Sequence, residues 1–153
     1  MSSGALTVRA PFAGTVRGLS DVPDPVFADR MLGPGLALDP QRRERVDVRA
    51  PVDGTLASLH PHAFVIAADD TRGVLVHLGL DTVELAGTGF AALRAVGDEV
   101  RAGDLLLRWD PVAVAAAGHS LLCPVIAIQA DSVQLLVTPG EGVAEGQALL
   151  LWP

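Results

Sequence analysis

Two histidines in this chain, His62 and His77, have the residue type and the spacing to act together in chemistry. A neutral imidazole keeps a lone pair on one nitrogen, which can act as a nucleophile or a base, while the other nitrogen donates a hydrogen bond. Two such rings side by side would form a reactive pair. The same spacing also suits a structural interpretation, in which both rings are buried or one is packed and the other exposed.

The segments around the two histidines are predicted to be strands. Residues 62–67 and 73–78 are short apolar runs rich in valine and isoleucine, separated by the polar residues 69–72. If these strands pair antiparallel about a turn centred near residues 69 and 70, positions whose numbers sum to about 139 face each other. His62 and His77 satisfy that sum. The two imidazoles are therefore expected on one face of the hairpin.

The composition predicts one all-β domain. A chain of 153 residues has the size of a single domain, which we assign to residues 1–153 with a short N-terminal tail at residues 1–8. Half of the residues are apolar, and the 16 glycines and 11 prolines favour many short strands joined by tight turns. The expected fold has mostly antiparallel strands with at most short helical turns.

Charge and hydropathy exclude several classes of protein. The net charge of −7 argues against nucleic-acid binding, which needs clustered Lys and Arg, and suits a partner with a basic face. The first residues lack the basic start and apolar core of a signal peptide, and no apolar run approaches membrane-spanning length. We therefore expect a cytoplasmic protein without direct membrane insertion. Cys123 is interpreted as a small buried hydrophobic residue rather than a nucleophile.

Two internal repeats indicate a duplicated fold. Residues 9–15 and residues 49–55 share the pattern Arg-Ala-Pro-x-x-Gly-Thr, forty positions apart. Residues 97–104 and residues 140–147 are two Gly-rich segments, each followed by a leucine-rich strand that ends in tryptophan. Two copies indicate pseudo-symmetry within one domain, because a solenoid needs at least about three repeats. Such units resemble the barrel-sandwich hybrid fold.

One short helix is predicted after the first leucine-rich segment, which ends at Trp109. Asp110 is a suitable N-cap, Pro111 suits the first helical position, and Gly118 suits the end of the Ala-rich stretch 112–117. His119 follows directly and is expected to have a surface or capping role.

Motifs spread over nearly the whole chain resemble one protein family. The sequence His-Ala-Phe at residues 62–64 is followed by His-x-Gly-x-Asp-Thr-Val-Glu-Leu at residues 77–85 and Gly-x-Gly-Phe at residues 87–90. Pro-Asp-Pro-Val-Phe-Ala at residues 23–28 and Met-Leu-Gly at residues 31–33 match upstream. These motifs resemble the glucose-type enzyme IIA of the bacterial phosphoenolpyruvate-dependent sugar phosphotransferase system. The resemblance implies a phosphocarrier.

The resemblance also implies roles for the site residues. His77 is expected to accept the phosphoryl group, His62 to stabilise it by hydrogen bonding, and the Gly79 carbonyl to orient His77. The family's supporting threonine, two residues before the first histidine, is replaced here by His60. No cofactor is required for the transfer. His60, His62 and His77 nevertheless also make a predicted zinc site.

The partners implied by the resemblance are HPr as donor and the IIB domain of a glucose or N-acetylglucosamine transporter as acceptor. Regulatory target proteins would bind the same surface. Phe27 is expected to be exposed, because its segment has polar ends and begins with a helix-breaking residue. The predicted partner-binding residues are Asp24, Val26, Phe27, Met31, Leu32, Asp81 and Val83.

Two other classes of protein share features with this sequence. A zinc-dependent lysostaphin-like peptidase uses His-x-x-x-Asp together with His-x-His, and both patterns occur here through His60, His62, His77 and Asp81, although in reversed order. This peptidase is the main alternative function. A biotinyl or lipoyl carrier is excluded, because those domains are modified on lysine and all eleven basic residues of this chain are arginine.

Overall fold

The structure, a computed structural model, describes residues 4–153. The helices are α1 (Pro25–Ala28) and α2 (Pro111–Ala116), and two 3-10 turns occur at Leu19–Asp21 and Thr82–Leu85. The strands are β1 (Leu6–Arg9), β2 (Gly14–Arg17), β3 (Gly35–Pro40), β4 (Val46–Arg49), β5 (Gly54–His60), β6 (Ala63–Ala67), β7 (Gly73–His77), β8 (Phe90–Ala92), β9 (Glu99–Val100), β10 (Leu105–Trp109), β11 (Cys123–Ala127), β12 (Gln134–Leu135), β13 (Gly142–Val143) and β14 (Ala148–Trp152).

The strands form one large sheet and two small ones. The large sheet has eight strands in the order β13-β2-β3-β11-β7-β6-β5-β9, and the small sheets have the orders β1-β14-β12 and β4-β10-β8. The paired strands run antiparallel. This arrangement confirms the predicted all-β class with only short helices.

The interior is divided into a main core and a smaller cluster near one end of β7. The main core contains fully buried Phe12, Phe64 and Leu106 between the sheets. The smaller cluster packs the α1 region onto β3, β11 and the loop after β7. Its members are Leu19, Val22, Phe27, Ala37, Leu80 and Ile126. This second cluster lies next to His77, because its member Phe27 packs against the His77 ring.

The first pair of repeats meets across a pseudo-two-fold relationship. The Arg9 N–H donates to the Pro51 carbonyl over 2.9 Å, and the Arg49 N–H donates to the Pro11 carbonyl over the same distance. Each copy thus bonds the other at the equivalent position. Reciprocal bonds of this kind are the pairing expected of a self-complementary contact between two copies of one unit.

The second pair of repeats follows the same symmetry. The Ala10 N–H donates to the Gln147 carbonyl and the Ala50 N–H donates to the Asp104 carbonyl, both over 2.8 Å. Each Arg-Ala-Pro segment therefore bonds one Gly-rich loop at the matching place. The duplication inferred from the sequence is a duplication of backbone contacts.

Helix α2 has the predicted ends. The Asp110 carboxylate accepts the Ala113 N–H over 2.9 Å, Pro111 begins the helix, and Gly118 follows it with φ 91°. The side-chain cap satisfies a backbone N–H that has no partner inside the helix. The His119 N–H donates to the Val114 carbonyl over 3.3 Å, so the backbone of His119 caps the C-terminal end.

The predicted N-terminal tail at residues 1–8 is partly a strand. β1 begins at Leu6 and pairs Leu6 with Trp152 and Val8 with Leu150. Val8 is buried, with 1% of its surface exposed. Residues 1–3 of the predicted tail lie outside the described residues.

Candidate functional site

His77 and His62 lie side by side at one end of the large sheet. His77 is the last residue of β7, and His62 lies in the two-residue turn between β5 and β6. The centroids of the two imidazoles are 5.1 Å apart with an angle of 71° between the rings. The Leu78 N–H donates to the His62 carbonyl over 2.7 Å and holds the turn against the end of β7.

The predicted register that led to this pair was wrong by one residue. In the structure Ala63, and not His62, faces His77, and Ala67 faces Gly73. Strand alternation alone would then turn residues 62 and 77 to opposite faces of the sheet. His62 reaches His77 because it lies in the turn, outside β6, where the alternation of side chains no longer applies.

A short hydrogen bond orients the His77 ring. Its Nδ1 lies 2.6 Å from the Gly79 carbonyl oxygen. A carbonyl oxygen only accepts hydrogen bonds, so Nδ1 carries the proton in this contact. In the neutral ring the lone pair is therefore on Nε2, and this nitrogen is available to react.

Gly79 is required by its backbone geometry. Its φ is 73°, and a Cβ at this position would lie 2.8 Å from the Ser120 carbonyl oxygen and 2.9 Å from Thr82 Cγ2. Both the left-handed conformation and the lack of space favour a residue without a Cβ. The loop that carries the Gly79 carbonyl, which accepts the hydrogen bond from His77, is thus tightly packed on the side that faces Ser120 and Thr82.

Phe27 is buried against His77, so its predicted exposure was wrong. Only 6% of Phe27 is exposed, and its ring centroid is 5.4 Å from that of His77 at an angle of 58°. The Asp24 carboxylate accepts the Val26 N–H over 3.0 Å and starts helix α1. The helical turn then directs Phe27 inward, although the segment has polar ends.

Both histidines of the pair favour the neutral state. Burial is the main cause that lowers the pKa of His77, and the Gly79 hydrogen bond and the charges of Asp24 and Asp81 oppose it only in part. Burial also lowers the pKa of His62, with further lowering by the positive charge that His77 or His60 would carry. At neutral pH, His77 therefore presents a lone pair and His62 can donate one N–H.

His60 joins the pair at its exposed side. It is the last residue of β5, and its ring centroid is 5.9 Å from that of His62. Among residues 4–153, no three His, Cys, Asp or Glu side chains are grouped so that they could hold one metal ion. The predicted zinc ligands His60, His62 and His77, with or without Asp81, therefore do not form a metal centre in this structure. The peptidase alternative has no structural support from this cluster.

Most of the predicted partner-binding side chains lie at the surface. Val26 is 39% exposed, Met31 62% and Val83 64%. Leu32 and Asp24 are half-buried and Asp81 is exposed. Asp24 and Asp81 lie close enough to His77 to act on its charge. Of the seven predicted partner-binding residues, Phe27 alone is fully withdrawn from this surface.

Three residues near the site had no functional assignment from the sequence. Thr82 is fully buried, and its hydroxyl donates to the Leu78 carbonyl over 2.8 Å. The Cys123 sulfur accepts the Gly79 N–H over 3.4 Å, and His119 Nδ1 lies 3.2 Å from the Leu80 carbonyl oxygen. Thr82 belongs to the motif at residues 77–85, so the sequence could have indicated a role for it. The other two are about forty residues away in sequence and carry no local signal.

None of the helices within residues 4–153 is both long enough and apolar enough to span a membrane.

Comparisons with known proteins agree with the geometry of the site. Residues 6–133 match the family described as phosphoenolpyruvate-dependent sugar phosphotransferase system, EIIA 1. The glucose-specific EIIA component of Oceanobacillus iheyensis is 39% identical over 131 residues, which cover 84% of this chain and 78% of that protein. The corresponding component of Bacillus cereus is 39% identical over 134 residues, covering 86% and 79%. The structure of glucose permease IIA from Mycoplasma capricolum is similar with a TM-score of 0.88 at 37% identity, covering 99% of this chain and 97% of that one.

Proposed function

Because the chain belongs to the EIIA 1 family of the phosphoenolpyruvate-dependent sugar phosphotransferase system, we propose that it carries the phosphoryl group on His77 between HPr and a transporter IIB domain. The observation that supports this assignment is the oriented imidazole pair. Nδ1 of His77 donates to Gly79, which leaves Nε2 free to react, and the His62 ring lies 5.1 Å away.

The proposed transfer is an in-line exchange between nitrogen atoms. The Nε2 lone pair of His77 forms a bond to phosphorus, the phosphorus–nitrogen bond of phosphorylated HPr breaks, and its electron pair returns to the HPr imidazole. The onward step reverses these roles, with a cysteine of the IIB domain as the nucleophile. No metal or other cofactor takes part, since the protein contributes positioning and electrostatic stabilisation.

His62 is the proposed stabiliser of the transferred group. A phosphoryl group adds about −1.5 to −2 charges, and a neighbouring N–H that donates to its oxygens lowers the free energy of the loaded state. His62 has the proximity and the neutral form for this role. His60, at the exposed side of His62, is a proposed second donor toward the same charge. Gly79 supports the site through its carbonyl.

The surface around the pair is the proposed docking site for both partners. Val26, Met31 and Val83 supply exposed apolar contacts, with Leu32 at their edge. Asp24 and Asp81 supply negative charge toward a basic donor such as HPr. Phe27 contributes from below by packing on His77. One surface would serve donor and acceptor in turn, because both must reach Nε2 of His77.

The names of the relatives favour glucose as the transported sugar, with N-acetylglucosamine as the second candidate. The sugar itself is proposed to contact only the membrane component, in which case this chain acts as a cytoplasmic carrier. A regulatory role is compatible with the same site. Phosphorylation of His77 would place charge within an apolar surface and thereby switch the binding of target proteins.

Intact-mass spectrometry at neutral pH tests the proposal. The native chain, His77→Gln and His62→Gln are incubated with phosphoenolpyruvate, enzyme I and HPr, and each is then mixed with a IIB domain. We expect one phosphoryl adduct on the native chain, no adduct on His77→Gln, and an adduct on His62→Gln that is passed on slowly. An unmodified native chain, or an adduct that persists in His77→Gln, would contradict the assignment. Circular dichroism of each variant controls for loss of fold.

A further inference from the structure

The loop that carries the Gly79 carbonyl is held by a segment far away in sequence, residues 119–123. The Gly79 N–H donates to the Cys123 sulfur over 3.4 Å. The Leu80 N–H donates to the Ser120 carbonyl over 3.0 Å. The Leu80 carbonyl oxygen lies 3.2 Å from Nδ1 of His119. Successive peptide groups of the loop thus bond to one segment.

The central contact acts on the peptide group that orients His77. This group joins Gly79 to Leu80, and its carbonyl accepts the Nδ1 proton of His77 while its N–H donates to Ser120. A peptide group is planar, so a rotation that turned the carbonyl away from His77 would also break the bond to Ser120. Contacts to the two flanking peptide groups, by Cys123 and His119, restrict the same rotation.

The Cys123 side chain suits this role as a neutral thiol. It is fully buried, and its S–H donates to the Leu121 carbonyl over 3.1 Å while the sulfur accepts the Gly79 N–H. Burial raises the pKa of the thiol, so it keeps its proton. A buried N–H without an acceptor is unfavourable, and Cys123 therefore fills a requirement created by the turn at Gly79.

His119 completes the contact from the outer side. Its side chain is half-buried, and its backbone N–H is bonded to Val114 at the end of α2. The ring is thereby anchored to the helix while its Nδ1 contacts Leu80. Since a carbonyl oxygen accepts, Nδ1 is the donor in this contact.

We propose that Cys123 and His119 are positioning residues, which hold the direction of the Gly79 carbonyl and so select the His77 tautomer with a free Nε2 lone pair. This inference rests on the proposed function for its effect on phosphoryl transfer. The effect of Cys123 and His119 on the tautomer of His77 can be measured without any partner protein.

Cys123→Thr and Cys123→Val form the matched test. The two side chains have the same shape and both suit a strand, but only threonine has a hydroxyl that can replace the acceptor and donor of the thiol. We expect Cys123→Thr to keep the native His77 tautomer, read from imidazole ¹⁵N shifts, and a transfer rate within about twofold of native. Cys123→Val should show a mixed tautomer and a roughly tenfold slower transfer, since small misplacements of reacting groups are costly.

Equal tautomer ratios and equal rates in the two Cys123 variants would overturn the role of Cys123. If Cys123→Val does not fold by circular dichroism, His119→Phe decides the proposal, because it keeps a ring at a half-buried position and removes the donor to Leu80. A native tautomer and rate in His119→Phe would then overturn it, and a mixed tautomer would support it. A native chain that accepts no phosphoryl group would refute the carrier function, while the tautomer measurement would still test the positioning role.

Discussion

Phe27 packs its ring on the imidazole of His77, with centroids 5.4 Å apart. This contact links the predicted docking segment to the reactive histidine, because Phe27 belongs to helix α1 while its neighbour Val26 is exposed at the surface. A partner that binds Val26 thus touches the helix that covers His77. The Phe27 ring covers one side of the His77 imidazole, and burial is the main cause that lowers the pKa of His77.

Replacement of Phe27 by alanine is expected to lower the stability of the protein and to raise the pKa of His77. Loss of a buried aromatic side chain from a core cluster costs about 3 kcal/mol of the free energy of unfolding. The pKa of His77 should rise, because water gains access to the ring. Chemical denaturation and an NMR titration of His77 measure the two effects. Val26→Ala, on the exposed side of the same helix, should change the free energy of unfolding by less than about 0.5 kcal/mol, and a similar loss there would contradict the prediction.

A pair of glycine substitutions separates backbone strain from lack of space. Gly79 and Gly97 both have positive φ, 73° and 94°, but a Cβ at Gly97 would meet nothing within 4 Å. Gly97→Ala should therefore cost only the strain of the left-handed conformation, about 1–2 kcal/mol. Gly79→Ala should cost more, since it also displaces Ser120 or Thr82, and should slow phosphoryl acceptance by His77. Denaturation curves compare the two variants, and equal losses would show that the space around Gly79 is unimportant.

The lowered pKa values of His62 and His77 predict a loss of stability on mild acidification. In the unfolded chain a histidine titrates near pH 6.5, whereas both rings titrate lower in the folded protein. Between these values the unfolded state binds more protons, so the free energy of unfolding falls as pH decreases from about 6.5 through the folded pKa values. The full contribution of the two neutral rings is present above pH 6.5.

Denaturation at pH 7.5, 6.5 and 5.5 measures this dependence while most carboxylates stay ionised. His77→Gln should show a shallower decrease than the native chain, because one of the two shifted groups is gone. A native protein that becomes more stable between pH 7.5 and 5.5 would contradict the direction of both shifts.

A matched pair of valines tests the docking surface. Val83 is 64% exposed in the 3-10 turn that follows His77 in sequence, and Val96 is 61% exposed in the loop between β8 and β9. Val83→Asp should weaken HPr binding by roughly tenfold, because it places a charge in the apolar part of the proposed interface. Val96→Asp should bind HPr as the native chain does. Titration calorimetry compares the two variants, and equal affinities would remove Val83 from the interface.

The sequence by itself determined the features that depend on residue type and local pattern. The ends of α2 follow from an aspartate, a proline and a glycine at fixed spacing, which satisfy or terminate nearby backbone groups. The repeats predicted the duplication, because similar segments form similar turns and pair in equivalent ways. The histidine motif at residues 77–85 included both His77 and the Gly79 that orients it.

The tertiary structure decided how these pieces meet. A shift of one residue in the β6–β7 register is invisible in the apolar pattern of two short strands, yet it decides that His62 must reach His77 from a turn. The burial of Phe27 depends on a cluster drawn from α1, β3, β11 and the loop after β7. The support of Gly79 by Cys123 joins residues 44 positions apart. Such contacts depend on the packing of distant segments, and no local sequence pattern specifies them.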